Sequence, residues 1–318
     1  MANLRAGLIG YGMMGKNHAR VLSSLEGVEL VAIADSDKSH HRQTGQTSFV
    51  ERVEEIIDFN LDYCFVAVPT ALHEQVGLLL ADAGIHTLME KPLASDFSSA
   101  LRLTEAFEKK NLIGAVGHIE RYNASIQQAK RRINNGELGD IYQVATRRQN
   151  PFPKRILDVG VVRDLATHDI DLTMWITDQE YKEVNSQVFS LPGRKYEDLV
   201  SINGRMSKGT IANHLINWVS PYKERLVVIT GSKGAYICDT LTSDLTFFSA
   251  ETTDTEWDEL ANFRGTSEGD VIKFAFPKSE PLRGEHESFR DAVLGKDSEI
   301  VTMREGLAVI EVSDRILG

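Results

Sequence analysis

The 318 residues are 42% hydrophobic and 25% charged, the make-up of an ordinary globule with room for about two domains. A formal net charge of −11 excludes a general nucleic-acid binder or a membrane-surface binder. Two cysteines, Cys64 and Cys238, exclude a disulfide framework and fit a reducing compartment; with no leader ahead of the first strand and no apolar run near eighteen residues, the expectation is a cytoplasmic protein.

The chain opens on an apolar run, Ala6 to Ile9, that reads as a buried parallel strand. It passes directly into Gly10-Tyr11-Gly12-Met13-Met14-Gly15, a G-x-G-x-x-G, and then into a helical pattern with His18, Val21, Leu22 and Leu25 on one face. Gly10 permits the tight turn, Gly12 lets a pyrophosphate approach the backbone, and Gly15 lets the helix pack close on the strand. The helix then points its free N–H groups and its positive dipole end at the phosphates. Asp35, twenty residues past Gly15, ends a second apolar strand from Val28 to Ala34 and suits a ribose 2′-hydroxyl. A structural strand-turn-helix is the bland alternative. An acidic residue there favours NAD over NADP, since it repels a 2′-phosphate.

After a polar stretch, Ser36 to Ser48, in which His40 and His41 read as solvent-facing, comes the apolar strand Tyr63 to Val68. It stops at Pro69-Thr70. A helix from Ala71 to Ala83 closes on Gly84, then follow strand Ile85 to Met89, a turn at Glu90-Lys91-Pro92, helix Phe97 to Lys109 and strand Leu112 to Val116. This alternation predicts a doubly wound parallel sheet over residues 1–118, with ligands outside the carboxyl ends of its strands. Gly10 to Gly15, Asp35, Pro69 to His73, Glu90 to Pro92 and Gly117 to Tyr122 lie at those ends.

From residue 119 the pattern changes. A helix from Asn123 to Asn134 leads to strand Ile141 to Arg148, and a further helix runs from Ala166 to Thr177. Between Glu183 and Phe248 strands follow one another with breaks at Lys208-Gly209 and Ser232-Lys233-Gly234, which predicts a mainly antiparallel sheet with one face on helices and the other exposed or used in association. Glu251 to Asp270 reads as a long loop, and helices His286 to Leu294 and Met303 to Leu317 close the chain. The expected division is 1–118 and 119–318, with the final helices able to pack back on the first domain.

Three features can carry chemistry. Lys91 sits at a strand end where partial burial tunes an amine toward a substrate hydroxyl, although a solvated turn lysine fits equally well. Asp164 and His168 are four apart, so on a helix the carboxylate can fix the imidazole tautomer and raise its basicity. A quiet helix start is the alternative, and a metal reading of His168, Asp169 and Asp171 suffers from ligands splayed around the helix. Finally Arg147, Arg148, Lys154, Arg155 and Arg163 against one acid, Asp158, give about +4 locally, which suits an anionic ligand or pairing with surface acids.

Taken together, Gly10 to Gly15, Glu90-Lys91-Pro92 and the D-x-x-x-H of Asp164 and His168 resemble, in order and spacing, the hallmark motifs of the glucose-fructose oxidoreductase / inositol dehydrogenase / rhizopine-catabolism family. The resemblance implies an α/β N-terminal Rossmann domain, and an α+β C-terminal domain with a large, open, mainly antiparallel sheet through which copies associate as dimers or tetramers. It implies NAD(P)-dependent oxidation or reduction of a sugar or polyol. Lys91 would lie near the nicotinamide and the substrate hydroxyl, His168 would exchange the proton, and Asp164 would orient histidine or substrate. The cofactor would lie on Gly10, Tyr11, Gly12, Met13, Met14, Gly15, Asp35, Pro69, Thr70, His73, Glu90 and Lys91. The family's Thr before the strand-end proline is Val68 here, which leaves Thr70 to supply a hydroxyl.

Two stretches, Gly117 to Asn123 and Pro151 to Leu165, are similar to a branch acting on nucleotide sugars, of which UDP-N-acetylglucosamine 3-dehydrogenases are members. That likeness adds Arg121, Tyr122, Arg155 and Arg163 as substrate contacts, beside Lys91, Asp164 and His168. The expected activity is hydride transfer between nicotinamide and a sugar ring carbon, C3 of UDP-N-acetylglucosamine leading. The alternatives are a dehydrogenase of a free sugar or inositol, and a non-catalytic NAD-sensing regulator.

Overall fold

The computed structural model of the chain describes residues 3–40, 47–153, 159–250 and 269–318. They form two compact units, Met1–Tyr122 with Glu280–Ile316 and Gly318, and Asn123–Ser279 with Leu317. Compared with the expected division at 118/119, the first unit runs on to Tyr122 and takes in the two closing helices.

In the first unit, strands β1 (Leu4–Ile9), β2 (Val28–Ala34), β3 (Ser48–Val50), β4 (Tyr63–Val66), β5 (His86–Glu90) and β6 (Gly114–Gly117) make one sheet in the order β3-β2-β1-β4-β5-β6. Every pairing in it is parallel. The helices are α1 (Met13–Leu22), α2 (His73–Asp82), α3 (Phe97–Lys109) and, from the C-terminal segment, α6 (Pro281–Val293) and α7 (Met303–Leu317). Helices cover both faces, so the strands read as unbroken apolar runs. One core joins Val66 and Met89 to α2, α3 and α7 through Leu80, Leu103 and Ile310. The other joins Leu8, Phe65 and Leu88 to α1 and α6 through Leu22 and Phe289. The last segment also closes the sheet edge: the Val116 N–H donates to the Val301 carbonyl at 2.8 Å, and Thr302 with Glu305 forms a capping box that starts α7.

The second unit holds α4 (Ala124–Asn134), β7 (Ile141–Pro151), α5 (Thr167–Thr177), β8 (Tyr181–Phe189), β9 (Leu199–Met206), β10 (Ile211–Asn217), β11 (Val219–Gly231), β12 (Gly234–Asp239), β13 (Asp244–Ser249) and β14 (Val271–Phe274). The strands form a sheet in the order β14-β13-β12-β11-β7-β10-β9-β8, in which only β7 and β10 pair in parallel. Period-2 alternation sets its two faces. Val144, Ala212, Ile202, Val227, Ile229, Tyr236 and Cys238 are buried, many of them against Ile126 and Ala129 of α4 and Leu172 and Ile176 of α5. The other face keeps Ile211 and Leu215 exposed. Residues 251–268 of the expected loop lie outside the described residues, as do His41, Lys154, Arg155 and Asp158.

Candidate active site

Strand register levels the carboxyl ends of the first sheet. Ile9 pairs with Ala34 and Val66, Val66 with Met89, and Glu90 with Gly117. The sheet order reverses between β1 and β4, and the glycine loop leaves β1 at that switch point, the position at which such sheets bind ligands. Gly10 has φ +91°, and a Cβ on it would stand 2.5 Å from the Ala67 carbonyl oxygen. Gly12 is the opposite case, since a Cβ there would meet nothing within 4 Å. No side chain caps the start of α1 and its first turn holds no acid, so its first N–H groups are left for an anion. These residues fit a dinucleotide pyrophosphate.

Asp35 does more than the sequence suggested. Its Oδ2 accepts the Tyr11 N–H at 2.5 Å and its Oδ1 accepts the Asp37 N–H at 2.8 Å. The carboxylate thus ties the glycine loop to the end of β2. His40, expected to face solvent, lies 3.2 Å from Asp35 Oδ1 by its Nδ1, with Tyr11 edge-on to its ring.

The β4 and β5 ends are joined by a residue assigned to the cofactor. His73 is 1% exposed, with Nδ1 2.9 Å from the Pro92 carbonyl oxygen and Nε2 3.0 Å from that of Val68. Burial lowers its pKa against these hydrogen bonds, so it is a neutral tie between the loops carrying Thr70 and Lys91. Lys91 is half-buried, and its backbone N–H donates to Glu90 Oε2 at 3.1 Å. Arg121 and Tyr122, expected on the substrate, also engage the C-terminal segment: Arg121 Nη1 donates to Glu305 Oε1 at 2.7 Å and the Tyr122 hydroxyl to the Glu299 carbonyl at 3.0 Å.

In the second unit, Asp164 lies in a π-type turn, Val162–Ala166, that runs straight into α5 and carries His168. Such turns recur at functional sites. Glu197, which the sequence reading missed, fixes this turn: its Oε1 accepts the Val162 N–H at 2.9 Å and its carbonyl the Val161 N–H at 3.0 Å. A Cβ on Gly160 would strike its carboxylate at 2.1 Å.

Buried polar groups pin α5 from the sheet side. Arg148 Nε donates to Asp169 Oδ2 at 2.7 Å, with both side chains 3% exposed or less. Removing one partner of such a pair costs about 3–5 kcal/mol. His214 bridges the hydroxyls of Thr146 at 2.8 Å and Tyr181 at 2.7 Å. Asp169, a ligand in the metal reading, is thus an ion-pair partner; among the described residues no three His, Cys, Asp or Glu are grouped to hold a metal.

Of the cationic cluster, Arg147 and Arg148 part company. Arg147 pairs with Glu224 on the open face of the sheet, Nε to Oε2 at 3.0 Å, while Arg148 points to the covered face and Asp169. Neighbours on a strand face opposite ways and cannot clamp one ligand. Arg163 is buried, and Arg155 lies outside the described residues.

Sequence comparison decides the family. Residues 4–118 match "Oxidoreductase family, NAD-binding Rossmann fold" and residues 126–237 match "GFO/IDH/MocA C-terminal domain". The chain belongs to the GFO/IDH/MocA oxidoreductase family. UDP-N-acetylglucosamine 3-dehydrogenase of Acidithiobacillus ferrooxidans is 27% identical over 67% of this chain and 66% of its own length. Myo-inositol 2-dehydrogenase of Thermotoga maritima is 28% identical over 57% of each. The solved structure of the Acidithiobacillus enzyme superposes with TM-score 0.86 at 22% identity, covering 99% of this chain and 97% of that one. The WlbA dehydrogenase of Bordetella pertussis, solved with NADH and UDP-GlcNAcA, gives 0.84 at 21% identity, covering 99% and 95%. Among the described residues no helix is long and apolar enough to cross a membrane.

Proposed function

We propose that this GFO/IDH/MocA oxidoreductase uses NAD to oxidise or reduce a ring carbon of a nucleotide-diphospho sugar, UDP-N-acetylglucosamine at C3 leading. The observation that carries the redox reading is the open cradle at Gly12 beside an uncapped helix start. The bound nicotinamide supplies the hydride acceptor or donor. Asp35 selects NAD through the ribose hydroxyls, and Thr70 and Glu90 border the same strand ends. His168 takes the hydroxyl proton in the oxidative direction, Asp164 orients it, and Lys91 engages the same oxygen. Holding both reactants removes much of the entropic barrier.

The substrate class rests on the relative named for UDP-N-acetylglucosamine, which matches over more of this chain than the inositol dehydrogenase does. With Arg147 and Arg148 paired internally, Arg155 and Arg163 are the cations proposed to meet the diphosphate. Two charge-assisted hydrogen bonds of about 1.5–3 kcal/mol each favour UDP-sugar over free sugar by roughly a hundredfold or more. The test compares kcat/KM for UDP-N-acetylglucosamine, free N-acetylglucosamine and myo-inositol at low and high salt. Better turnover of a free sugar or inositol ends the nucleotide-sugar reading, and no turnover of any of them favours an NAD-sensing regulator. We also place the protein in the cytoplasm, as a homo-oligomer whose second copy covers Ile211 and Leu215 on the open sheet face; sedimentation of Leu215→Lys, expected to dissociate the assembly, checks this.

A further inference from the structure

The second unit holds a cavity to which the reaction above gives no work. Its volume is about 140 Å³. Phe152 and Val159 wall it on one side, Arg194, Lys195 and Tyr196 from the segment between β8 and β9 on another, and Trp218, between β10 and β11, closes it. Pockets that enclose a drug-sized ligand measure roughly 300–1,000 Å³, so this one suits a single ring and leaves the rest of a larger ligand outside.

Hydrogen bonds fix these walls. Asp198, 1% exposed, accepts the Leu191 N–H on Oδ2 at 2.9 Å, and its carbonyl accepts the Trp218 N–H at 2.8 Å. The same carboxylate pairs with Arg194 Nη2 at 3.0 Å. Arg194 lies over the Phe152 ring, with Cζ 3.3 Å from its centroid, and Phe152 stands edge-on to Trp218 at 5.5 Å. Lys195 Nζ is 4.8 Å from the Tyr196 centroid.

The chemistry of the lining is one-sided. Three aromatic rings supply apolar surface, while Arg194 and Lys195 supply donors only. Asp198 engages one end of a guanidinium that has five N–H groups. Among the described residues no carboxylate or amide side chain lines the cavity. A free polyol, whose hydroxyls donate as well as accept, is poorly matched to such walls. A nucleotide is well matched: its base stacks on aromatic side chains, and its phosphate oxygens accept from guanidinium and ammonium.

The cavity also adjoins the candidate reaction turn of the same unit. The Gly160 carbonyl, one residue past Val159, accepts the Asp164 N–H at 3.1 Å, and Glu197, one residue past Tyr196, accepts the Val162 N–H at 2.9 Å. Two of its walls thus continue into the π-type turn that carries Asp164 and leads to His168.

We propose that this cavity holds the pyrimidine base of the sugar nucleotide among Phe152, Tyr196 and Trp218, with Arg194 and Lys195 on the adjoining phosphate. The base is then an anchor that presents the sugar to the turn of Asp164 and His168. This deepens the nucleotide-sugar reading above and rests on it.

The test is calorimetric titration of the full chain with UDP and with uridine, at saturating NAD so that the glycine loop is occupied. Phe152→Leu keeps an apolar side chain and loses the ring, and should weaken UDP binding about tenfold, the worth of roughly one stacked base. Arg194→Gln should weaken UDP by a similar factor and leave uridine unchanged. UDP affinity unaltered in either variant overturns the proposal, as does an unsubstituted protein that does not bind UDP. Should Phe152→Leu not fold, as judged by circular dichroism, Tyr196→Leu puts the same question with the same two outcomes. Turnover separates this inference from the reading it rests on. UDP bound through Phe152 and Arg194 by a protein that oxidises no sugar nucleotide upholds the pocket and ends the activity reading. Turnover of UDP-N-acetylglucosamine with UDP affinity indifferent to Phe152 does the reverse.

Discussion

Gly15 is pressed against Gly10, so closely that a Cβ at Gly15 would stand 2.0 Å from the Gly10 carbonyl oxygen. Both atoms belong to tightly placed backbone, so no rotamer change relieves the clash. Gly15→Ala should destabilise the protein by about 1–3 kcal/mol, as overpacking does. Gly12→Ala should leave Tm nearly unchanged, because its Cβ projects into open space, yet weaken NAD binding about tenfold or more. Thermal unfolding beside NAD titration separates the two. Equal loss of Tm in both variants contradicts the assignment of Gly12 to the ligand.

Asp35 has two roles that one substitution does not separate and two do. Asp35→Ala removes both the acceptor of the Tyr11 N–H and the negative charge. Asp35→Asn keeps an amide oxygen for that N–H and removes only the charge. We expect Asp35→Asn to retain most NAD affinity and to narrow the preference over NADP, whereas Asp35→Ala weakens both cofactors. Fluorescence titration of each cofactor checks this, and tighter NADP binding by the unsubstituted protein refutes the NAD assignment.

His168→Ala and Lys91→Ala should each lower turnover by roughly 10²–10⁴-fold, the usual worth of a positioned acid or base. NAD affinity should change little, since the phosphates are assigned to Gly10–Gly15. Glu197→Gln tests the support behind them: its amide oxygen still accepts the Val162 N–H, so activity should fall far less than in Glu197→Ala, where the turn holding Asp164 loses that acceptor. Steady-state kinetics at saturating cofactor reads all four variants.

Local pattern made much of this architecture legible. The run from Ala6 to Gly15 announced strand, turn and helix because each glycine answers a steric demand made within a few residues of chain. The breaks at Lys208-Gly209 and Ser232-Lys233 are the turns between β9 and β10 and between β11 and β12. Charge summed along the chain left the cationic cluster open between an anionic ligand and pairing with acids, and alternation in β7 sends Arg147 and Arg148 to opposite faces, each to its own acid. His18 was legible only as a helix-face residue. Its partners Glu90 and His286 lie 72 and 268 residues away, and nothing local signals either. The tie that His73 makes was hidden for the same reason, since the loops it joins meet only once β4 and β5 pair.

His214 should make the second unit acid-sensitive. Burial drives its pKa down to about 4, against an opposing effect of Asp169 and a reinforcing one of Arg148, and it bridges Thr146 and Tyr181 as a neutral ring. In the unfolded chain the same imidazole takes a proton near pH 6.5. Between those values the unfolded state binds the extra proton, so stability falls as pH falls, by about 3 kcal/mol in all, and no further loss comes from this site below pH ~4. Above pH ~6.5 both states hold a neutral ring and the contribution is flat. His214→Gln keeps hydrogen-bonding groups between the two hydroxyls and does not titrate. Its Tm should therefore decline less than that of the unsubstituted protein between pH 7 and 4.5, even if it starts lower. The comparison is between slopes, which cancels the carboxylates and the other buried histidines that both proteins share. Parallel Tm–pH curves for the two proteins would show that His214 titrates alike in the folded and unfolded states and remove this site from the account of acid sensitivity.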